Sequence, residues 1–354
     1  MNILIDIGHP AHVHIFKNLA WEMQKSGHSF IFTVRQGEFE AELLEKYGFN
    51  YTIIGYKVAG TINKIRNIGK FSHRILKISK TFKPDLFLSH GSMYAGIAAK
   101  LLNKPHIALE DSGNMEQLFF SKLVSSIILT PDVLPVHLGK KQITYKAYHE
   151  LFYLHPDYFK PDNSVLDILN MNENDTYAIV RFVSWQASHD KKQSGFTDSE
   201  KIKLIKILSK DMKVFISSEK ELPVELEKYK MQIPFDRVHD ALAFAAIYIG
   251  EGATMASEAG VMGTPSIYVS SIKRCYNDDQ EKYGTVINIS PGKDTLLRVQ
   301  ETLKETNKLT SKQKADGMIK EKIDPTQFLV WFIENYPGSI EIMKNKPNYQ
   351  NRFK

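Results

Sequence analysis

The sequence has a single cysteine, Cys275, among 354 residues, so no disulfide can close within the chain and no cysteine-based zinc site can be assembled. A reducing compartment, the cytoplasm, is the expectation that fits. No run of about 18 apolar residues occurs, which argues against a membrane-spanning helix, and the apolar opening at 1–7 is too short for the core of a secretory leader. Repeats of short period and low-complexity segments are missing as well. Carboxylates are missing from one stretch: Lys57, Lys64, Arg66, Lys70, Arg74, Lys77, Lys80 and Lys83 follow one another without a single acid between them.

What is present is ordinary for a globular chain. A hydrophobic fraction of 43% and a charged fraction of 24% exclude disorder and fibrous architecture, and the net charge of +6 is modest. At about 150 residues per domain, the length suggests two domains. Short apolar runs at 2–7, 30–34, 51–54, 85–89, 106–109 and 126–129 read as strands. They alternate with segments of helical spacing at 13–25, 38–46, 61–82, 94–102 and 115–123. The rhythm lapses between 131 and 161, where prolines, aromatics and histidines crowd together, and a boundary is expected there. A second series follows, with strands at 177–182, 214–217, 247–249 and 266–269 and helices at 200–208, 241–246 and 254–261. The predicted organisation is therefore an N-terminal domain at 1–160, a second domain at 161–330 and a helical tail at 331–354 that packs back on the first domain. The fold class is α/β: two Rossmann-like, doubly wound parallel-sheet domains. Sheets of this kind bind ligands outside the carboxyl ends of their strands, so chemistry is sought in the loops that follow them.

After the first strand comes Gly8-His9-Pro10-Ala11-His12-Val13-His14, three imidazoles at a helix start. One can act as a base near neutral pH, or all three can cap and pack. A metal held by His12 and His14 lacks a neighbouring carboxylate or cysteine, so no metal is expected there. Ser89-His90-Gly91-Ser92 is a strand-to-helix turn whose small residues let backbone amides face a ligand. Glu110 and Asp111 end the strand at 106–109; adjacent carboxylates there can orient sugar hydroxyls or act as a base, while Asp111 or Ser112 can equally cap the next helix. In the second domain Arg181, Ser184 and His189 suit phosphate oxygens, in a long polar loop that can also be a surface excursion. The segment from Gly250 to Pro265 places glycines at a strand end, Thr254 as a cap and an amide-rich helix start towards phosphate, with Glu258 either a ribose acceptor or an acid favoured by the helix dipole alone.

These residues resemble a known group. The stretch from Asp6 to Phe30 is similar to the opening of the peptidoglycan enzymes that transfer N-acetylglucosamine from UDP to a lipid-linked muramyl peptide. Lys83-Pro84-Asp85 through His90-Gly91 to Glu110-Asp111, and Ser257-Glu258 with Gly263-Thr264-Pro265, are similar to later segments of the same enzymes. Here the opening loop is Gly8-His9-Pro10-Ala11, the usual Glu-Gln-Asn run is Glu110-Asp111-Ser112, and the short Gly-Gly-Ser phosphate loop is replaced by the stretch from Arg181 to Gly195. Over nearly its whole length the chain also resembles the family designated domain of unknown function 354, which carries the same Arg…Ser-Trp…His-Asp stretch.

The resemblance implies a GT-B fold with its two domains facing a central cleft, a nucleotide sugar (UDP-linked) as substrate rather than cofactor, and no metal requirement. It makes His12 the acceptor-activating base or a neighbour of the transferred sugar, with Glu110 or Asp111 helping to place the acceptor. His9, His14, His90, Gly91 and Ser92 fall on the acceptor side. Gly252, Thr254, Met255 and Ala256 meet the diphosphate and Glu258 the ribose. The expected reaction is transfer of a sugar to a glycan or lipid-linked acceptor. UDP-N-acetylglucosamine 2-epimerases share the frame, so an isomerase is the alternative, and a non-catalytic nucleotide-sugar binder is a third reading. The segment at 61–82 reads as an amphipathic basic helix: either it packs on the sheet with a solvated outer face, or it touches anionic lipid at the inner face of the membrane. Nucleic acid is not expected, since no aromatic stacking array accompanies the charge.

Overall fold

The computed structural model describes residues 1–58, 60–172, 175–183, 194–218 and 221–354. Strands are β1 (Asn2–Ile7), β2 (Ser29–Gln36), β3 (Tyr51–Tyr56), β4 (Leu86–His90), β5 (His106–Leu109), β6 (Ile127–Pro131), β7 (Gln142–Tyr145), β8 (Tyr177–Phe182), β9 (Lys213–Ser218), β10 (Ile247–Gly250), β11 (Ser266–Val269) and β12 (Val286–Ile289). The chain divides into two compact units, Met1–His155 with Lys322–Lys354, and Pro156–Glu321. The return to unit 1 thus begins at Lys322, ahead of the position 331 read from the sequence.

In unit 1 seven strands form one sheet in the order β3-β2-β1-β4-β5-β6-β7, and in unit 2 five form a sheet in the order β12-β11-β10-β8-β9. Every pairing is parallel. The apolar runs explain this: Ile3, Leu4, Ile5 and Ile7 of β1 are buried, as are Ala178, Ile179 and Val180 of β8, because helices cover both faces. Each sheet has one point where the strand order reverses, between β1 and β4 in unit 1 and between β8 and β10 in unit 2. There the loops diverge and leave a crevice at the carboxyl edge.

Two short strands escape the sequence reading. Gln142–Tyr145 alternates inward and outward residues too briefly to signal a strand amid prolines, and Val286–Ile289 is only four residues long. The expected single helix at 61–82 is two, Thr61–Arg66 and Ile68–Phe82, broken at Asn67, whose side-chain amide donates to the Asn63 carbonyl and competes with the helical pattern. Phe71 and Ile75 from this segment enter the core, while Ile62 and Ile65 stay exposed. No helix among the described residues is long and apolar enough to cross a membrane.

The C-terminal segment binds unit 1 through the stretch after β7. Ile323 N–H donates to Lys146 O at 3.0 Å, Lys146 N–H to Gln350 Oε1 at 2.7 Å, and Thr326 Oγ1 to Phe152 O at 3.1 Å. Phe328 stacks on Tyr145, with ring centroids 5.9 Å apart.

His106, at the start of β5, is fully buried between Ser89 Oγ (2.8 Å) and Ser125 Oγ (3.1 Å), and burial lowers its pKa to about 3. The unfolded chain takes up this proton near pH 6.5 and the folded one does not, so the stability tied to neutral His106 is complete above pH 6.5 and is lost as pH falls towards 3. Urea unfolding of wild type and His106→Gln between pH 7 and 5 should show the wild type losing up to about 1.4 kcal/mol per pH unit more than the variant.

Candidate functional site

Unit 1 gathers a polar cluster at the crevice between β1 and β4. At the sheet edge Asp6 pairs in register with Thr33 and Ser89. Its carboxylate accepts from Thr33 Oγ1 at 2.7 Å and from the Arg35 guanidinium. Arg35 lies against Gly8, where any Cβ would overlap it, and over the ring of Tyr94 at 4.8 Å. Opposite charges with several hydrogen bonds make burial of this pair tolerable.

Above this edge the imidazole of His12 stacks on that of His90, centroids 4.5 Å apart and 17° from parallel. Gly8 N–H reaches His12 Nδ1 at 3.4 Å. Burial, then the neighbouring His90, His9 and Arg35, hold His12 well below the usual imidazole pKa. His90 Nε2 is 3.1 Å from Asp111 Oδ1, and Gln117 Nε2 lies 3.2 Å from His90 Nδ1 and donates to Glu110 Oε2 at 3.0 Å. Burial opposes charge on His90, but Asp111 and Glu110 outweigh it and raise its pKa. On the far side of Asp111, His149 Nδ1 stands 3.1 Å from Oδ2. Burial alone would raise Asp111, yet His149 and His90 hold its carboxyl well below the usual range. Adjacent Glu110 behaves oppositely, pushed up by burial despite His90 and the Ser121 hydroxyl donating at 2.6 Å.

The expected acceptor-side residues therefore separate. His12, His90 and Asp111 come together, and Gly91 makes the turn with φ +60°. His9 is exposed and caps the helix Pro10–Lys25 by accepting from Ala11 N–H. His14, two residues past His12, points to another face of that helix, buried near Tyr47 and Tyr153, and does not join the cluster. Ser92 is the buried N-cap of the helix Met93–Leu101. Glu110 is wholly buried beneath the site, so its placing of an acceptor is corrected to support of His90 through Gln117. Asn114, not Asp111 or Ser112, caps the helix Met115–Val124. His149, Gln117 and Ser121 were not singled out in the sequence. His149 lies in the aromatic stretch read as a boundary, where no motif spacing marks it.

In unit 2 the crevice lies between β8 and β10. Arg181 pairs in register with Gly250 on one side and Ser217 on the other, and its Nη1 donates to Ser217 Oγ at 2.6 Å. Gly250 leaves the space Arg181 occupies, since a Cβ there would lie 2.8 Å from the arginine Cβ. Glu251 is buried and accepts from Val183 N–H at 2.9 Å and Phe196 N–H at 2.7 Å, so one carboxylate holds backbone from both sides of 184–193. Ser184 and His189 lie outside the described residues. The helix Ala253–Met262 starts from Gly252, and no side chain among the described residues caps it, which corrects the assignment of that role to Thr254. Thr254, Met255 and Ala256 occupy its first turn, and no acid does. Glu258, one turn on, is buried with Oε1 3.0 Å from His239 Nε2.

Two kinds of ligand suit these groups. Uncapped amides of a helix start beside an arginine suit phosphate oxygens. In unit 1, His90, Asp111 and His149 each offer a ligand atom within 4.8 Å of the others, a set able to hold a metal ion.

The family described as "Protein of unknown function (DUF354)" matches residues 1–336. An uncharacterized protein of Methanocaldococcus jannaschii is 22% identical over 287 residues, covering 75% of this chain and 81% of its own. Among solved structures, a UDP-GlcNAc 2-epimerase from Neisseria meningitidis bound to UDP-GlcNAc is similar with a TM-score of 0.69 at 12% identity, covering 95% of this chain and 100% of its own. A glycosyltransferase, SsfS6 of Streptomyces sp. SF2575, is similar with a TM-score of 0.58 at 12% identity, covering 94% and 99%. The fold shared with these proteins is the GT-B type, built of two Rossmann-like halves.

A Cβ at Gly91 would lie 2.2 Å from Glu110 Oε1 and 2.3 Å from Gln117 Nε2, at a positive φ. Gly91→Ala should lower the unfolding free energy by about 2–3 kcal/mol. Gly48→Ala, also at positive φ (+74°) but with nothing within 4 Å, should cost about 1 kcal/mol. Equal losses in urea titrations would show that the Glu110–Gln117 packing does not constrain this turn.

Proposed function

The chain belongs to the DUF354 family, and we propose that it is an enzyme acting on a nucleotide-activated sugar, UDP-linked, which it transfers to a hydroxyl of a glycan or lipid-linked acceptor. The observation that carries this reading is the start of the helix Ala253–Met262: free backbone amides, a glycine approach and Arg181 converge at the reversal point of the unit 2 sheet. A diphosphate there would accept from the amides of Thr254 and Met255 and from Arg181, and the helix dipole would favour its charge; the Ala256 amide, expected to join them, already donates to Gly252 O at 3.1 Å. Glu258, steadied by His239, would accept from ribose hydroxyls. Loss of the nucleotide leaves an electron-poor anomeric carbon, and attack on it needs a hydroxyl stripped of its proton. His12, on the sheet edge of unit 1 and stacked on His90, would be the group that takes that proton, with Asp111 orienting His90 beside it.

A second reading is favoured by one observation. His12 and His90 stack with ring centroids 4.5 Å apart while Asp111 holds His90, so two proton-exchanging groups meet at one edge. An isomerase acting at C2 of the sugar would use such a pair, as would fit the likeness to a 2-epimerase.

Melting curves across nucleotides and nucleotide sugars should show stabilisation by one nucleotide class, about 2.7 kcal/mol when the ligand is at a hundred times its Kd. Arg181→Ala should weaken that ligand by roughly 10–100-fold, the loss of a charge-assisted hydrogen bond. No shift with any nucleotide would overturn the reading. With the ligand in hand, nucleotide release that requires an added acceptor supports transfer, whereas isomerised nucleotide sugar formed without acceptor, carrying deuterium from heavy water, supports the second reading. Binding with neither product, unaltered in His12→Ala, would leave a binding protein.

A further inference from the structure

We propose that His90, Asp111 and His149 form a binding site for a divalent transition-metal ion, zinc in the first place, at the carboxyl edge of the unit 1 sheet. The three come from separate elements: the end of β4, the residue pair after β5, and the turn after β7 that leads into the short helix Leu151–Leu154. His90 Nε2 and Asp111 Oδ1 are 3.1 Å apart, His149 Nδ1 and Asp111 Oδ2 are 3.1 Å apart, and one ligand atom from each residue lies within 4.8 Å of the others. Ligand atoms around a tetrahedral zinc, bonded at about 2.0–2.2 Å, stand roughly 3.3 Å from one another. Closing this set on an ion needs side-chain adjustment and no movement of the sheet.

His149 is the residue that completes the set. Its side chain is 4% exposed, its Nδ1 stands 3.1 Å from the Asp111 carboxylate, and its Nε2 finds no hydrogen-bond partner among the described residues. Two imidazole nitrogens, one at each oxygen of a single carboxylate, form an arrangement in which one cation can be shared by all three groups.

The surroundings are those of held ligands. His12 stacks on His90, and Tyr145 lies parallel to His149 at 6.3 Å with 7° between the rings. Gln117 Nε2 sits 3.2 Å from His90 Nδ1 and also donates to Glu110 Oε2, so it steadies the ring at the nitrogen that does not face Asp111. Two imidazoles and one carboxylate select zinc or cobalt over magnesium or calcium, which prefer oxygen throughout. Three protein ligands leave a position for water or a hydroxyl, whose proton the ion would make easier to remove. That role rests on the transfer proposed above; the binding of the ion does not.

The test is metal binding by the whole protein after chelator treatment and dialysis. Zinc titrated against a chromogenic chelator should bind at one equivalent, and cobalt should give the intense visible bands of a four-coordinate site. His149→Ala, His90→Ala and Asp111→Asn should each weaken zinc by at least about 100-fold and bleach the cobalt bands, and Gln117→Ala should weaken it by about 10–100-fold. His14→Ala, a buried imidazole outside the cluster, should change nothing. Where circular dichroism shows that His149→Ala has not folded, Asp111→Asn decides. Failure of the chain to take up zinc, or uptake indifferent to these substitutions, would overturn the proposal. Nucleotide-induced stabilisation, unchanged by chelator, reports on unit 2 separately, so either idea can fail alone.

Discussion

Parallel strands are the constraint on which everything else rests. When all strands of a sheet run one way, every loop that leaves a strand's carboxyl end emerges on the same edge, and the reversal of strand order spreads two of those loops apart. In unit 1 that reversal brings the histidine loop after β1 beside the His90 turn after β4; in unit 2 it brings Arg181 beside Gly250 and Glu251. Residues separated by some seventy or more positions in the chain become neighbours with no motif linking them.

The two edges are built with different chemistry. Unit 2 presents mainly backbone, with glycines, a helix start without a side-chain cap among the described residues, and an arginine. Unit 1 presents ionisable side chains in contact with one another: Arg35 on Asp6, Ser121 on Glu110, and His12 stacked on His90. A site assembled this way can be altered in reactivity by small changes beneath it, since Gln117 links Glu110 to His90 directly.

Much of this was legible in the amino-acid order. Unbroken apolar runs such as Ile3-Leu4-Ile5 announce a sheet buried on both faces, and glycines after strand-like runs announce the turns where ligands sit. Less legible were features set by contacts distant in sequence. His149 looked like one histidine among many aromatic residues, because what distinguishes it is the carboxylate of Asp111, brought to it only when β7 joins the sheet. Thr254 looked like a cap by residue type, yet the helix begins at Ala253, two residues earlier than a threonine cap at 254 would require. His14 shares the spacing of its neighbours, but helical geometry turns it towards Tyr47. The break at Asn67 was hidden because the apolar period continues across it.

Glu251 deserves a last consideration. It receives the Val183 and Phe196 amides on its two oxygens, with Gly195 pressed so close that any Cβ would overlap its carboxyl. One substitution at this position would therefore strand two backbone donors at once, which ties the shape of the arginine edge to a single carboxylate.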